Sequence, residues 1–91
     1  MEELVDRAKN NDSDAFTHLI LNIERDLYCI AKSEIHNEND IEDIIQETMI
    51  IAFLNIKKLK NNSFFKTWII RILIKNSIKE ESINQLMRRK P

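Results

Sequence analysis

No glycine occurs anywhere in this chain of 91 residues, and its one proline is the terminal Pro91. Two-residue hairpin turns and phosphate-cradling loops both draw on glycine for backbone at positive φ, so a hairpin-rich sheet and a Gly-rich nucleotide loop lack their raw material. Helices joined by short polar turns do not need it, and the abundance of Ile, Leu, Glu, Lys and Asn suits them. With 43% of its residues apolar the chain can build one compact core, and it is too short for two. The fold class expected is therefore all-α.

Periodicity and capping residues predict four helices, two short and two long, in one compact bundle. The first covers Glu2 to Lys9, amphipathic through Leu4, Val5 and Ala8, and stops at Asn10-Asn11-Asp12. Asp12 or Ser13 caps the second, whose Phe16, Leu19, Ile20, Ile23, Leu27, Ile30 and Ala31 recur at helical spacing. The polar run from His36 to Asp40 interrupts the pattern, and Asn39 or Asp40 caps the third helix. Its core stripe reads Ile41, Ile44, Ile45, Thr48, Ala52, Phe53, Ile56 and Leu59, while Glu42, Asp43, Gln46 and Glu47 occupy the opposite face. Ile50 and Leu54 lie outside that stripe and, as apolar residues in excess of what the core needs, mark a contact surface. Ser63 caps the fourth helix, which runs from about Phe64 through Trp68, Ile69, Ile72, Leu73 and Ile78 toward Met87.

The net charge of −1 conceals a bipolar chain. Residues 1–56 carry four basic residues against thirteen carboxylates, a formal −9, and residues 57–91 carry ten against two, a formal +8. Such a chain can offer an acidic surface to a basic protein and a basic one to nucleic-acid phosphates, although two solvated faces would account for the charges equally well. Cys29 stands alone, which excludes an internal disulfide and a cysteine-based zinc site and fits a reducing cytosol. The longest apolar run, Ile50 to Leu54, is far short of a signal peptide or a membrane span, so a soluble cytoplasmic protein is expected.

Enzyme chemistry finds no support. Asp43 and Glu47 sit one helical turn apart, but nothing nearby in sequence tunes them as an acid and a base. His18 and His36 lie on different elements without a metal-binding spacing, and no nucleophile has a neighbouring base, so no metal and no cofactor are expected. Nucleic-acid binding fares better. Lys57, Lys58, Lys60, Phe64, Phe65, Lys66, Trp68, Arg71 and Lys75 interleave cations with aromatic rings, the mixture that tracks the phosphates of a single strand and stacks its bases. Against this, Trp68 and at least one of Phe64 and Phe65 are expected to pack the fourth helix onto the bundle.

The run Asp40-Ile41-Glu42-Asp43-Ile44-Ile45-Gln46-Glu47-Thr48 resembles the polymerase-binding helix of extracytoplasmic-function sigma factors, whose pattern is close to Asp-Ala-Glu-Asp-Ile-Val-Gln-Glu-Thr. Two further stretches agree with that family in order and spacing. They are Leu4-Val5-Asp6-Arg7-Ala8-Lys9 with Asp12 and Ala15-Phe16, and Phe65-Lys66-Thr67-Trp68-Ile69-Ile70-Arg71-Ile72. The resemblance implies that residues 1–91 form a sigma region 2 domain, which binds core RNA polymerase and recognises and melts the promoter minus-ten element at transcription initiation. It implies docking of Asp40, Asp43, Gln46, Glu47 and Ile50 on the clamp coiled coil of the polymerase's largest subunit. It assigns contact with the minus-ten non-template strand to Lys60, Asn61, Asn62, Ser63, Phe65, Lys66, Arg71 and Lys75. It also implies an anti-sigma factor that covers Ile50, Ile51 and Leu54.

The chain departs from the family at Lys75, where Asn is usual, and at Lys79, where Asp is common, so promoter preference does not carry over. Family members continue into a domain that reads the minus-thirty-five element, and that domain is absent from these 91 residues. A second reading is a small helical interaction module of sigma-like fold, which binds polymerase or an anti-sigma factor without melting DNA.

Overall fold

The structure, a computed structural model, describes residues 1–35 and 37–88, with side chains as far as Ile78. Its helices are α1 (Glu2–Lys9), α2 (Ser13–Glu34), α3 (Glu38–Asn55) and α4 (Phe65–Arg88), with 3-10 turns at Ile56–Lys58 and Asn62–Phe64 between α3 and α4. One helix is short and three are long, because α3 runs to 18 residues. No strand occurs among the described residues.

The turn from α1 to α2 shows how a glycine-free chain reverses direction. Asn11 takes φ 69°, the left-handed conformation that Asn tolerates better than most side chains, and its N–H donates to the Ala8 carbonyl. Asp12 then caps α2, its carboxylate accepting from the Ala15 N–H at 3.1 Å and from Arg7 Nε at 3.0 Å. These bonds hold the Asp12 carboxyl below its ordinary pKa, the Ala15 N–H contributing most and Arg7 next.

Two caps differ from the sequence expectation. Asn37, rather than Asn39 or Asp40, caps α3 by accepting from the Asn39 N–H, so the helix starts earlier. Asn61, rather than Ser63, caps the turn before α4, and α4 itself begins at Phe65.

α2 is the central element, with α1, α3 and α4 all packed on it and α3 against α4. The fully buried centre comprises Leu19, Ile23 and Leu27 of α2, Ile41 and Ile44 of α3, and Phe65, Ile69 and Leu73 of α4. Burial of each such side chain contributes about 1.5–3 kcal/mol of transfer free energy, so this cluster is the main source of stability. Two buried hydroxyls are accommodated: Ser77 donates back to the Leu73 carbonyl, and Thr48 accepts from Asn76 Nδ2 at the α3–α4 contact. Of the expected core stripes, Leu4, Ile30, Trp68 and Ile72 are half-buried against the core, and two further residues are exposed. Phe53 is 41% exposed and Ile78 is 59% exposed, each standing at the rim of its helix.

Candidate functional site

The outer surface of α3 carries two kinds of side chain at helical spacing. Asp43, Gln46 and Glu47 are exposed, and Asp40 is half-buried at the start of the same helix. Glu42 and Gln46 face Arg25 and Tyr28 of α2 across an open groove of about 540 Å³. Asp43 and Glu47 make no ion pair with any described residue, and like charges four residues apart on a helix cost a few tenths of a kcal/mol.

One turn further along α3 the surface becomes apolar. Ile50 is 60% and Leu54 74% exposed, and Phe53 joins them instead of entering the core. Ile50, Phe53 and Leu54 stand at i, i+3 and i+4, which places them on one face. Phe53 packs edge-on against Phe16, centroids 5.1 Å apart, at the wall of a shallow groove that Met49 and Gln46 extend. Ile51 lies beside this strip and is half-buried.

The second surface is the loop from Leu59 to Phe64 with the first turns of α4. Phe65, expected to meet DNA, is instead fully buried, because the positions that α4 turns inward are 65, 69, 73 and 77. Phe64, one residue earlier, is 58% exposed and takes the place of the outward ring. Trp68, expected in the core, is half-buried. It packs beside Phe65 with ring centroids 6.0 Å apart, and borders an open pocket of about 490 Å³ with Lys60, Asn61, Phe64 and Arg71. The pocket thus combines two aromatic rings with two cations.

Four of the residues that the sequence assigned to DNA are engaged within the protein. Asn61 accepts from the N–H and hydroxyl of Ser63, at 3.0 and 2.7 Å, and so shapes its own turn. Asn62 points toward α1: its Oδ1 accepts from Lys9 Nζ at 2.6 Å and its Nδ2 donates to Asp6 Oδ1 at 2.6 Å. Lys66 is exposed and pairs with Asp26 of α2 at 2.7 Å. Lys57, Lys58, Lys60, Arg71 and Lys75 are exposed and have no ion pair to a described residue. Sequence reasoning placed Phe65 rather than Phe64 in the DNA-contacting set, and missed Phe53 in the apolar strip and Asp6, Lys9 and Asp26 as partners of the basic surface. Only the choice between Phe64 and Phe65 had a local signal, in the four-residue register with Ile69 and Leu73.

A match to the family model of sigma-70 region 2 spans residues 19–89. The chain is 29% identical over 73 residues to the RNA polymerase sigma-H factor of Pseudomonas aeruginosa, covering 80% of this chain and 38% of that protein. With the ECF RNA polymerase sigma factor SigW of Bacillus subtilis it shares 31% identity over 72 residues, 79% of this chain and 38% of that one. Its fold is that of an engineered region 2 of sigmaE solved by NMR in complex with GTAAAA, with a TM-score of 0.84 at 24% identity, over 99% of this chain and 93% of the other. The chain belongs to the sigma-70 region 2 family, and within it to the extracytoplasmic-function type. It spans 38% of the length of the curated relatives named above. No described helix is long and apolar enough to cross a membrane.

Proposed function

We propose that residues 1–91 act as a sigma region 2 module in the cytoplasm, docking α3 on core RNA polymerase and holding the minus-ten non-template strand with the 59–64 loop and the start of α4. The observation that carries this reading is the pocket where Phe64 and Trp68 stand between Lys60 and Arg71. Stacking of a base on an aromatic ring is worth about 1–3 kcal/mol, and extrusion of a base from a duplex costs a few, so two rings and their flanking cations offset the opening of a weak A·T step. The sigmaE region 2 neighbour was solved with a six-nucleotide strand, which supports a single strand as the ligand here.

Docking on polymerase falls to Asp40, Asp43, Gln46, Glu47 and Ile50, on the clamp coiled coil of the largest subunit. Carboxylates and an amide at helical spacing match an arginine-rich helix, because guanidinium forks make charge-assisted paired bonds to carboxylates. The uncompensated repulsion between Asp43 and Glu47 is relieved by such a partner. The apolar strip at Ile50, Phe53 and Leu54, with Ile51 at its edge, offers an anti-sigma factor a place to compete with the clamp. That strip also favours the second reading, a module that binds proteins alone. Neither reading assigns covalent chemistry to this chain.

A promoter carrying a fluorescent base analogue in its minus-ten element, mixed with core polymerase and this chain, separates the two. Lys66→Glu with Arg71→Glu abolishes the opening signal and leaves polymerase binding intact under the first reading. Undiminished opening in that variant overturns the assignment of this surface to DNA.

A further inference from the structure

Helix α1 carries none of the residues assigned to polymerase or DNA, yet it packs on the strand-binding loop and is tied to it by side-chain hydrogen bonds. Lys9 Nζ donates to the Leu59 carbonyl at 2.5 Å and to Asn62 Oδ1 at 2.6 Å. Asn62 Nδ2 in turn donates to Asp6 Oδ1 at 2.6 Å and, more weakly, to the Glu2 carbonyl at 3.5 Å. Both ends of the Asn62 amide are therefore engaged on α1. The ammonium and the carboxylate stand on one face of α1 at i and i+3, so a single helix presents a donor and an acceptor to a single amide.

The loop needs such support. Between α3 and α4 it has only two 3-10 turns, of three residues each, and Asn61 supplies the second with its cap. Its buried anchor is Leu59, and its outward residues, Lys60, Asn61 and Phe64, form the pocket rim opposite Trp68. The second turn runs directly into α4 and packs on it, which holds the rim at Phe64. The bonds from α1 hold the other side, because they clamp the loop at the Leu59 carbonyl and again at Asn62, on either side of Lys60 and Asn61.

We infer that Asp6 and Lys9 are positioning residues for the strand-binding loop, and that through Asn62 they set the distance of the Lys60–Asn61 rim from Trp68, the gap that receives an unstacked base. What the gap receives rests on the function proposed above; the brace itself does not. Asn62, expected from the sequence to meet DNA, serves on the inner side of the loop. Its bonds to an ammonium and a carboxylate are charge-assisted, so the loss of one is felt as about a tenfold change in loop opening.

The test uses the whole chain and two readouts. Amide hydrogen exchange follows residues 59–64 directly, and Trp68, the chain's only tryptophan, reports by its fluorescence on a short A-rich single strand. Lys9→Met keeps the aliphatic stem and removes the donor. Asn62→Asp brings a second carboxylate against Asp6, and Asp6→Asn combined with Asn62→Asp restores a donor–acceptor pair with the roles exchanged. Lys9→Met and Asn62→Asp are each expected to speed exchange across 59–64 about tenfold with α2 and α3 unchanged, and Lys9→Met to weaken the strand by a similar factor. The exchanged pair recovers wild-type loop protection. Loop exchange unaltered by Lys9→Met, or an exchanged pair no better protected than Asn62→Asp alone, overturns the brace. If Lys9→Met loosens the loop but the wild type takes up no strand, the brace stands and the DNA reading falls; a wild type that binds, with a loop indifferent to Lys9→Met, gives the reverse.

Discussion

Phe64 and Phe65 are identical side chains at adjacent positions, and the account assigns them opposite roles, so their alanine variants should fail in opposite ways. Phe65 is fully buried between α4 and the bundle. Its truncation removes a large core side chain and leaves a cavity, at a cost of about 3–5 kcal/mol. A domain of 91 residues has a total stability of roughly 5–14 kcal/mol, so this loss is about a fifth of it or more. At roughly 4–8 °C per kcal/mol the melting temperature falls by about 12–40 °C. Phe64 is 58% exposed and its truncation opens no cavity, which keeps its stability change within about 0.5 kcal/mol. What Phe64→Ala loses is a stacking surface, about 1–3 kcal/mol of strand binding, or roughly 5–150-fold in affinity. Circular dichroism followed through thermal and urea unfolding measures the first effect, and anisotropy of a labelled A-rich single strand measures the second. Comparable destabilisation by the two variants would refute the register assigned to α4, and full strand affinity in Phe64→Ala would refute the role assigned to its ring.

Under the proposed DNA contact Asp26 competes with a phosphate for Lys66, and because both partners are half exposed the pair is worth no more than about 1 kcal/mol. Asp26→Asn is accordingly expected to tighten single-strand binding by up to about fivefold with little change in melting temperature; weaker binding would show that the pair orients Lys66 productively. Asp12 has a folded pKa lowered beneath the ordinary 3.8, so its contribution to the α1–α2 junction is complete above that value and is lost as pH falls through the folded one. Melting temperatures recorded from roughly pH 5 to 2 should therefore fall less steeply in Asp12→Asn, which keeps an acceptor for the Ala15 N–H, than in the wild type. Leu54→Lys, at an exposed position outside the set assigned to the clamp, should leave stability within about 0.5 kcal/mol of wild type and clamp binding intact while abolishing competition by an anti-sigma factor; undiminished competition would remove the strip from that interface.

The all-helical bundle was legible because the absence of glycine and the three- and four-residue spacing of the apolar residues point the same way. Where they diverge, local reading weakens. The Asn-rich run before α3 offers several equivalent caps, and the choice of Asn37 depends on how α2 delivers the chain to that point. Phe53 fits the core stripe by spacing, but α3 is apolar on two faces, and its packing against Phe16 rather than α4 is decided by tertiary contacts. The acidic face of α3 and the basic surface beyond it could be read directly, since charge segregates along the chain. The ties that hold the loop could not. Lys9 and Asn62 are 53 positions apart, and nothing in the pattern around either announces the other.

Binding of the chain to a purified clamp coiled-coil fragment of the polymerase's largest subunit tests the central claim most directly. Asp43→Lys with Gln46→Lys reverses the character of an exposed face, so helicity should be unchanged while binding falls by more than about tenfold, as for the loss of charge-assisted bonds to arginine. A variant that binds the fragment as tightly as wild type, or a wild type that does not bind it at all, would contradict the assignment of α3 to polymerase.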